Sequence, residues 1–331
     1  MVGMGLTWYS ITSAAFIAAA TADKLPIQAR TSLDNTSLVF KILQLADLHI
    51  TGIPTIGCGS SIPTGMASQD CSETLTYTFV EQLLDLEKPD FIAFTGDNMQ
   101  VYDPSSHQRA IDAVTRAAEE RNISYGMVLG NHDEEGSFPR EKIVDMVSQK
   151  THSYTVSGPK TVNGVGNYML NVTAPIRGVW GDINTTVFRM YSWTPVLKPR
   201  QRNTPVMFFH IPLVEFSYSK DGCNGDQLER VHNQGMNLRL LSALSEINEI
   251  KAVFVGHDHV NEYCCLVDGV QLCYGGGAGF GRAYSAAGFS RRARVVEWTV
   301  DSDERHVIRS WKRHFDDINV VRSEEVLYSE L

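Results

Sequence analysis

The sequence predicts an α/β protein in which a largely parallel sheet is backed by a second sheet, with helices outside. Three observations predict it. Five short apolar runs rich in branched and aromatic residues each end in a polar cluster. Stretches of helical periodicity lie between the early runs, and strand–helix alternation implies parallel pairing with right-handed crossovers. The later part changes to shorter strand-like segments separated by turns, which fits a second stacked sheet.

In order, the strands are LVFKILQLA (38–46), ending at Asp47; FIAFT (91–95), ending at Gly96-Asp97-Asn98; SYGMVL (124–129), ending at Gly130-Asn131-His132-Asp133; VMFF (206–209), ending at His210; and KAVFV (251–255), ending at Gly256-His257-Asp258-His259. In parallel sheets ligands gather at the carboxyl ends of strands, where all five clusters fall. Helices are expected over 74–87, with Leu75, Phe79, Leu83 and Leu86 on one face, and over 106–120, with Ile111 and Val114 inward after the Asp103-Pro104 start signal. Two more are expected over 138–149 and 234–248. Asp70 and Glu73 read as the start and cap of the helix at Thr74. Shorter strands are expected over 154–172, 187–191, 262–274, 294–300 and 307–311, with LVDGVQL a hairpin turning at Asp268-Gly269.

The 331 residues carry a formal net charge of −9, which argues against a nucleic-acid surface, since such a surface needs a basic stripe. We expect a signal peptide at 1–22, a short leader at 23–37, one catalytic domain at 38–320 and a C-terminal tail at 321–331. ITSAAFIAAATA has the length of a signal h-region, too short for a membrane span, and Ala20-Thr21-Ala22 fits a cleavage site. The segment before Ile11 carries no Lys or Arg, so a cytoplasmic chain with an apolar start is the alternative. Sequons at Asn35, Asn122, Asn171 and Asn184 and an even six cysteines point to a secreted or vacuolar glycoprotein with disulfides. Cys58 with Cys71 would close one loop, and Cys264 or Cys265 with Cys273 would cross the hairpin; buried reduced thiols are the alternative.

The cluster residues are Asp47, His49, Asp97, Asn131, His210, His257 and His259. Imidazole nitrogen and carboxylate oxygen suit divalent first-row metals. With Asp97 shared through its two oxygens, seven side chains give four contacts to each of two metals, which in hydrolytic pairs lie about 3.5–4 Å apart. Two dications against two carboxylates leave roughly +2 to attract phosphate, and a water between them loses its proton near neutral pH. His132, beside Asn131, is the expected general acid and phosphate donor, and Asp133 orients the turn or His132. His107, His152, His232, His306 and His314 read as structural or solvated. The glycines at 275–281 lack the Lys-Ser/Thr ending of a phosphate loop and read as a close-packed turn at the metal rim.

D-x-H at Asp47, G-D-x at Gly96, G-N-H-D at Gly130, a lone His210 and G-H-x-H at Gly256 appear together and in order. This pattern resembles the calcineurin-like metallophosphoesterase superfamily. The resemblance implies a four-layer αββα sandwich of two mixed sheets flanked by helices. It also implies Asp47, His49, Asp97 and His259 at one metal, and Asp97, Asn131, His210 and His257 at the other. FFHIPLVEF and YGGGAGFGRAY…RRARVVEW resemble the subgroup labelled purple-acid-phosphatase-like. True purple acid phosphatases have Gly where His49 stands and a Tyr ligand where this chain has Gln100, so no purple band is expected. Protein Ser/Thr phosphatases place there an Asp that pairs with the catalytic His; Gln100 cannot supply it, and whether Asp103 substitutes is left open. The segment 184–205 is short for the subgroup, as if a substrate-facing loop were trimmed.

The expected activity is hydrolysis of phosphomonoesters, on a phosphorylated small molecule or protein, with two Fe, Zn or Mn ions. Two alternatives stand beside it: a phosphodiesterase or nucleotide hydrolase on the same residues, and a non-catalytic metal-binding receptor or scaffold.

Overall fold

A computed structural model describes residues 24–59, 61–175, 186–192 (backbone), 204–217 and 222–330. The signal segment expected at 1–22, the sequon at Asn184 and most of the 184–205 loop lie outside the described residues. In chain order the strands are β1 (Ile27–Gln28), β2 (Arg30–Thr31), β3 (Ser37–Leu45), β4 (Phe91–Thr95), β5 (Ser124–Val128), β6 (Tyr168–Thr173), β7 (Thr186–Ser192), β8 (Val206–Phe208), β9 (Ala252–Val255), β10 (Cys264–Val267), β11 (Val270–Tyr274), β12 (Arg292–Asp301), β13 (His306–His314) and β14 (Asp317–Ser329). The helices are α1 (Thr74–Glu87), α2 (His107–Glu120), α3 (Arg140–Ser148) and α4 (Leu240–Ile247).

The strands form two mixed sheets. One runs β14-β13-β12-β3-β4-β5, with β2 also on β3; the other runs β1-β6-β7-β8-β9-β11-β10. β3, β4 and β5 pair in parallel, as do β7, β8, β9 and β11 in turn. Period-two alternation sorts the core into layers. Phe40 and Ile42 of β3, Phe91 and Ala93 of β4, and Val296 and Trp298 of β12 meet Val206, Phe208 and Phe254 between the sheets. Their neighbours Leu43, Leu45, Ile92, Phe94 and Val295 face the other way, onto α1, α2 and α3. The second sheet turns Met207, Val253 and Leu272 outward onto Leu240, Leu241 and Leu244 of α4. The result is helix, sheet, sheet, helix. Each fully buried apolar side chain stabilises it by about 1.5–3 kcal/mol.

Several local expectations shift. The buried face of α1 is Thr76, Phe79, Val80, Leu83, Leu84 and Glu87, and Leu86 is 40% exposed. Glu73 does not cap α1; its carboxylate accepts from Thr51 N and Gly52 N and so holds the chain just after His49, while Asp70 lies in the 3-10 turn Ser68–Asp70. The helix expected from 234 starts only at Leu240, because the Asn237 side chain accepts from Arg239 N and Arg239 takes a left-handed φ of 58°. Of the stretch 154–172, only the end is a strand, since Gly158, Gly164 and Gly166 turn the chain at positive φ. Strands also form in the stretches expected as leader and tail: β1 pairs with β6, and β14 runs along β13. All six cysteines are bridged, as Cys58–Cys71, Cys264–Cys273 and Cys223–Cys265. The described residues contain no helix long and apolar enough to cross a membrane.

Candidate metal centre

The loops after β3, β4, β5, β8 and β9 meet at one end of the two-sheet sandwich and bond to each other. Asp47 N donates to Gly96 O (3.1 Å), His49 N to Asp97 O (2.9 Å), Gly256 N to His210 O (3.2 Å), His257 N to Asp47 Oδ1 (2.9 Å) and His132 N to Asp97 Oδ1 (2.8 Å). Asp47, His49, Asp97 and His257 all have left-handed backbones, with φ of 55°, 48°, 48° and 77°. Non-glycine residues adopt that region at about 1–3 kcal/mol each, and such strain gathers where surrounding bonds over-determine it. Gly96 is required outright: its φ is +94°, and a Cβ there would lie 2.3 Å from His210 Nδ1.

Two donor sets result. Asp47, His49, Asp97 and His259 form one, and Asp97, His210 and His257 the other, with the donor atoms of each set within 4.8 Å of one another. Asp97 belongs to both; its Oδ2 lies 3.7 Å from His49 Nε2 and 3.1 Å from His210 Nε2. Asn131 has an exposed side chain and stands beside the second set, next to the amide of His132 that bonds Asp97.

The hydrogen bonds of the imidazoles test whether a metal fits. His49 Nδ1 lies 3.2 Å from Gln100 Oε1, His259 Nδ1 lies 2.9 Å from Tyr284 O, and His210 Nδ1 lies 3.0 Å from Thr95 O. Each partner is an acceptor, so each Nδ1 carries a proton; the Nε2 atoms of His49 and His259 then present lone pairs, while Nε2 of His210 points at Asp97 Oδ2, 3.1 Å away. Yet His49 Nε2 and His259 Nε2 face each other at 3.0 Å. Asp47 Oδ2 is buried without a partner. Lone pairs converging on a buried carboxylate need a cation among them. Ligands at about 2.1 Å from a tetrahedral ion stand about 3.4 Å apart, close to the spacings seen here. The residues therefore fit a metal pair.

Electrostatics prepare His49 and His259 as ligands, while His210 and Asp47 hold protons that a metal would have to displace. Burial pushes His49 down to about 4 and His259 well below the usual imidazole range, keeping both neutral as ligands must be. Burial also lowers His210, but Asp97 and Asp47 outweigh it and raise the group to about 9. Asp47 is pushed well up by burial and then by Asp97. Burial would raise Asp97 too, but His210 and His49 hold it below the usual carboxylate range.

Neighbouring side chains complete the site. Asp133 orients the turn rather than His132: its Oδ1 accepts from Asn98 N and Met99 N, and its Oδ2 from Gly130 N and Asn98 Nδ2. The His132 ring lies 5.1 Å from that of His49, and its Nδ1 meets Glu135 Oε1. Asp103 is not available to His132, since its carboxylate accepts from Ser105 N and Oγ. Tyr284 stacks on His259 with ring centroids 3.7 Å apart. Glu229, His232 and Asp258 form a third cluster behind the His257–His259 loop. Its carboxylate oxygens are already occupied by His232, Tyr274, Tyr284 and Val260 N, so it acts as a hydrogen-bond network. The glycines at 275–281 do pack at the rim: a Cβ on Gly279 would lie 2.3 Å from Leu48 O. Sequence reading missed Glu135, Tyr284 and the bond from His49 to Gln100. Only the third acidic residue of Asp133-Glu134-Glu135 hinted at the first of these.

Comparison with known proteins gives a consistent result. A family profile described as calcineurin-like phosphoesterase matches residues 40–261. A protein of Arabidopsis thaliana named "Probable inactive purple acid phosphatase 29" is 30% identical, over 88% of this chain and 86% of that protein. "Phosphatase DCR2" of Saccharomyces cerevisiae is 31% identical, over 83% of this chain and 53% of that protein. Among solved structures, a dimetal phosphatase from Danio rerio superposes with a TM-score of 0.51 at 13% identity, over 87% of this chain and 98% of that one. The purple acid phosphatase PPD1 of yellow lupin (Lupinus luteus) superposes with a TM-score of 0.50 at 13% identity, over 91% of this chain and 54% of that one. At such identities these two structures speak to the fold alone.

Proposed function

The chain belongs to the calcineurin-like phosphoesterase family, and from that premise we propose that it hydrolyses phosphomonoesters at a dinuclear metal centre. Asp47, His49, Asp97 and His259 would hold one ion, and Asp97, Asn131, His210 and His257 the other. The observation that carries this reading is the pair of bare Nε2 atoms of His49 and His259 at 3.0 Å, with both Nδ1 protons committed elsewhere. When bound, the metal pair supplies positive charge for the phosphoryl oxygens and a water of lowered pKa. Asp97 spans both sets and fixes their separation. His132, partly exposed at the edge of the centre, donates its Nε2 proton to the leaving oxygen as the P–O bond breaks, so the product departs as an alcohol. Three disulfides support a secretory or vacuolar location.

The "inactive" in the plant relative's name raises a second reading, a metal-binding scaffold without turnover. One experiment separates them. Metal-stripped protein is reloaded with Fe, Zn or Mn, its metal content is measured, and hydrolysis of 4-nitrophenyl phosphate and bis(4-nitrophenyl) phosphate is followed. Two bound metals and monoester turnover abolished by Asp97→Ala support the phosphatase. Preference for the diester would move the substrate class. Two bound metals without turnover of either ester would support the scaffold, and failure to bind metal would refute both.

A further inference from the structure

We propose that Glu135 is the positioning residue of His132: its carboxylate holds Nδ1–H, so that Nε2 is the nitrogen that exchanges a proton with substrate. The inference rests on the phosphoesterase reading above. Glu135 Oε1 meets His132 Nδ1, and its side chain is only 19% exposed. Oε2 is buried without a partner, and among the described residues no Lys or Arg pairs with Glu135. A carboxylate kept in that setting is unfavourable unless an ionisable partner compensates it, and the imidazole is the partner present. The surrounding structure builds the contact. Gly136, at φ 69°, is nested so tightly that a Cβ would lie 2.3 Å from Tyr102 O. That close approach fixes the turn Glu135–Ser137 against the loop after β4. Gln100 completes the arrangement. Its amide oxygen faces His49 Nδ1 at 3.2 Å, so its NH2 points to Tyr102 Oη at 2.9 Å and also lies 3.3 Å from His132 Nδ1 and 3.5 Å from Glu135 Oε1. One side chain thus sets both the ligand His49 and the carboxylate behind His132. The acceptor for Nδ1–H is Glu135, three residues after His132; the Gln100 NH2 beside Nδ1 is a donor and cannot accept that proton, and the Asp103 carboxylate is held by Ser105.

In the proposed step the P–O bond to the leaving group breaks and that oxygen takes the Nε2 proton, while Nδ1–H stays with Glu135. Phosphorus gains an oxygen from water, and the products are alcohol and inorganic phosphate. A 4-nitrophenolate leaves without protonation, but an alkoxide does not. Glu135→Ala is therefore expected to lower kcat for glycerol phosphate by about 100-fold and for 4-nitrophenyl phosphate by under about 5-fold, with KM changed little. Glu135→Asp should recover part of the loss. Glu135→Ala should add nothing to His132→Ala, because a residue acting through another has no separate effect. Equal losses on both esters, or additive losses in the double variant, would overturn the proposal. A second readout needs no turnover: 15N NMR of the metal-loaded, histidine-labelled protein reports which His132 nitrogen carries the proton. Nδ1 protonation lost in Glu135→Ala supports the proposal, and an unchanged spectrum overturns it. Absence of wild-type turnover on both esters would sink the phosphomonoesterase reading, and the spectrum would still decide the role of Glu135.

Discussion

Asp133→Asn is the sharpest probe of the loop scaffold, because it keeps shape and removes one acceptor. Asp133 is fully buried and receives four N–H donors, from Asn98 N (2.9 Å), Met99 N (3.0 Å), Gly130 N (2.6 Å) and Asn98 Nδ2 (3.2 Å). An asparagine satisfies one pair and turns its own NH2 toward the other. Two donors then lack a partner, at about 1–3 kcal/mol each, or about 4 kcal/mol together. Against this stands relief of charge burial. Desolvation and the nearby Asp97 raise Asp133 from 3.8 to about 6, which corresponds to about 3 kcal/mol at neutral pH. That penalty is absent below pH 4 and complete above pH 6, so the relief applies under assay conditions. In the metal-free protein the two effects nearly cancel, and stability should change by no more than about 2 kcal/mol. In the loaded protein the nearby cations attract the Asp133 carboxylate, which offsets the burial cost as well as the Asp97 repulsion, so most of the relief disappears and the deficit falls on metal binding. At 1.4 kcal/mol per decade, that is about 10- to 100-fold weaker affinity. Urea unfolding of the metal-free protein and competition against a chromophoric chelator read the two quantities. Metal affinity within about 3-fold of wild type, or an equal stability loss with and without metal, would refute the reasoning.

Three further outcomes are expected. Gln100→Leu removes the acceptor on His49 Nδ1 and should weaken metal binding by about 10- to 100-fold; unchanged chelator competition would contradict this. In the metal-free protein, His210 raised to about 9 contributes about 3 kcal/mol that is fully present below pH 6.5 and lost as pH climbs through 9. The urea midpoint should therefore fall over that window and hold steadier with metal bound, and a flat midpoint in the metal-free protein would be the contrary result. Cys58→Ser with Cys71→Ser opens a loop of 13-residue separation, which should lower stability by about 3 kcal/mol; a loss under about 1 kcal/mol would show that packing of the loop, rather than the crosslink, sets its contribution.

Much of this molecule is legible along the chain because its signals are local. A strand is announced by a short branched and aromatic run, and the polar residues that follow it occupy the strand's carboxyl end whatever the partner strand is. Asp47, Asp97, His210 and His257 could thus be placed at one end before any sheet order was known. The helix bounds Thr74–Glu87 and the hairpin at Asp268-Gly269 followed from equally local rules. Glu73 shows where such rules stop: its position before α1 reads as a cap, yet its carboxylate crosses to Thr51 and Gly52.

By itself the sequence pointed to the layer order, named seven candidate ligands, six of which the structure gathers into two groups, and offered the Cys58–Cys71 bond that the structure contains. Only the tertiary structure decided that Cys223 pairs with Cys265, that 317–329 is a strand on β13 rather than a tail, that Gln100 faces His49, and that Glu135 stands behind His132. The physical reason is separation along the chain and through space. Periodicity and loop chemistry act over a few residues and are written in them. Which imidazole meets which carboxylate depends on how loops from different strands are packed, and there a rotation of one turn, such as that set by Gly136 against Tyr102, selects the partner.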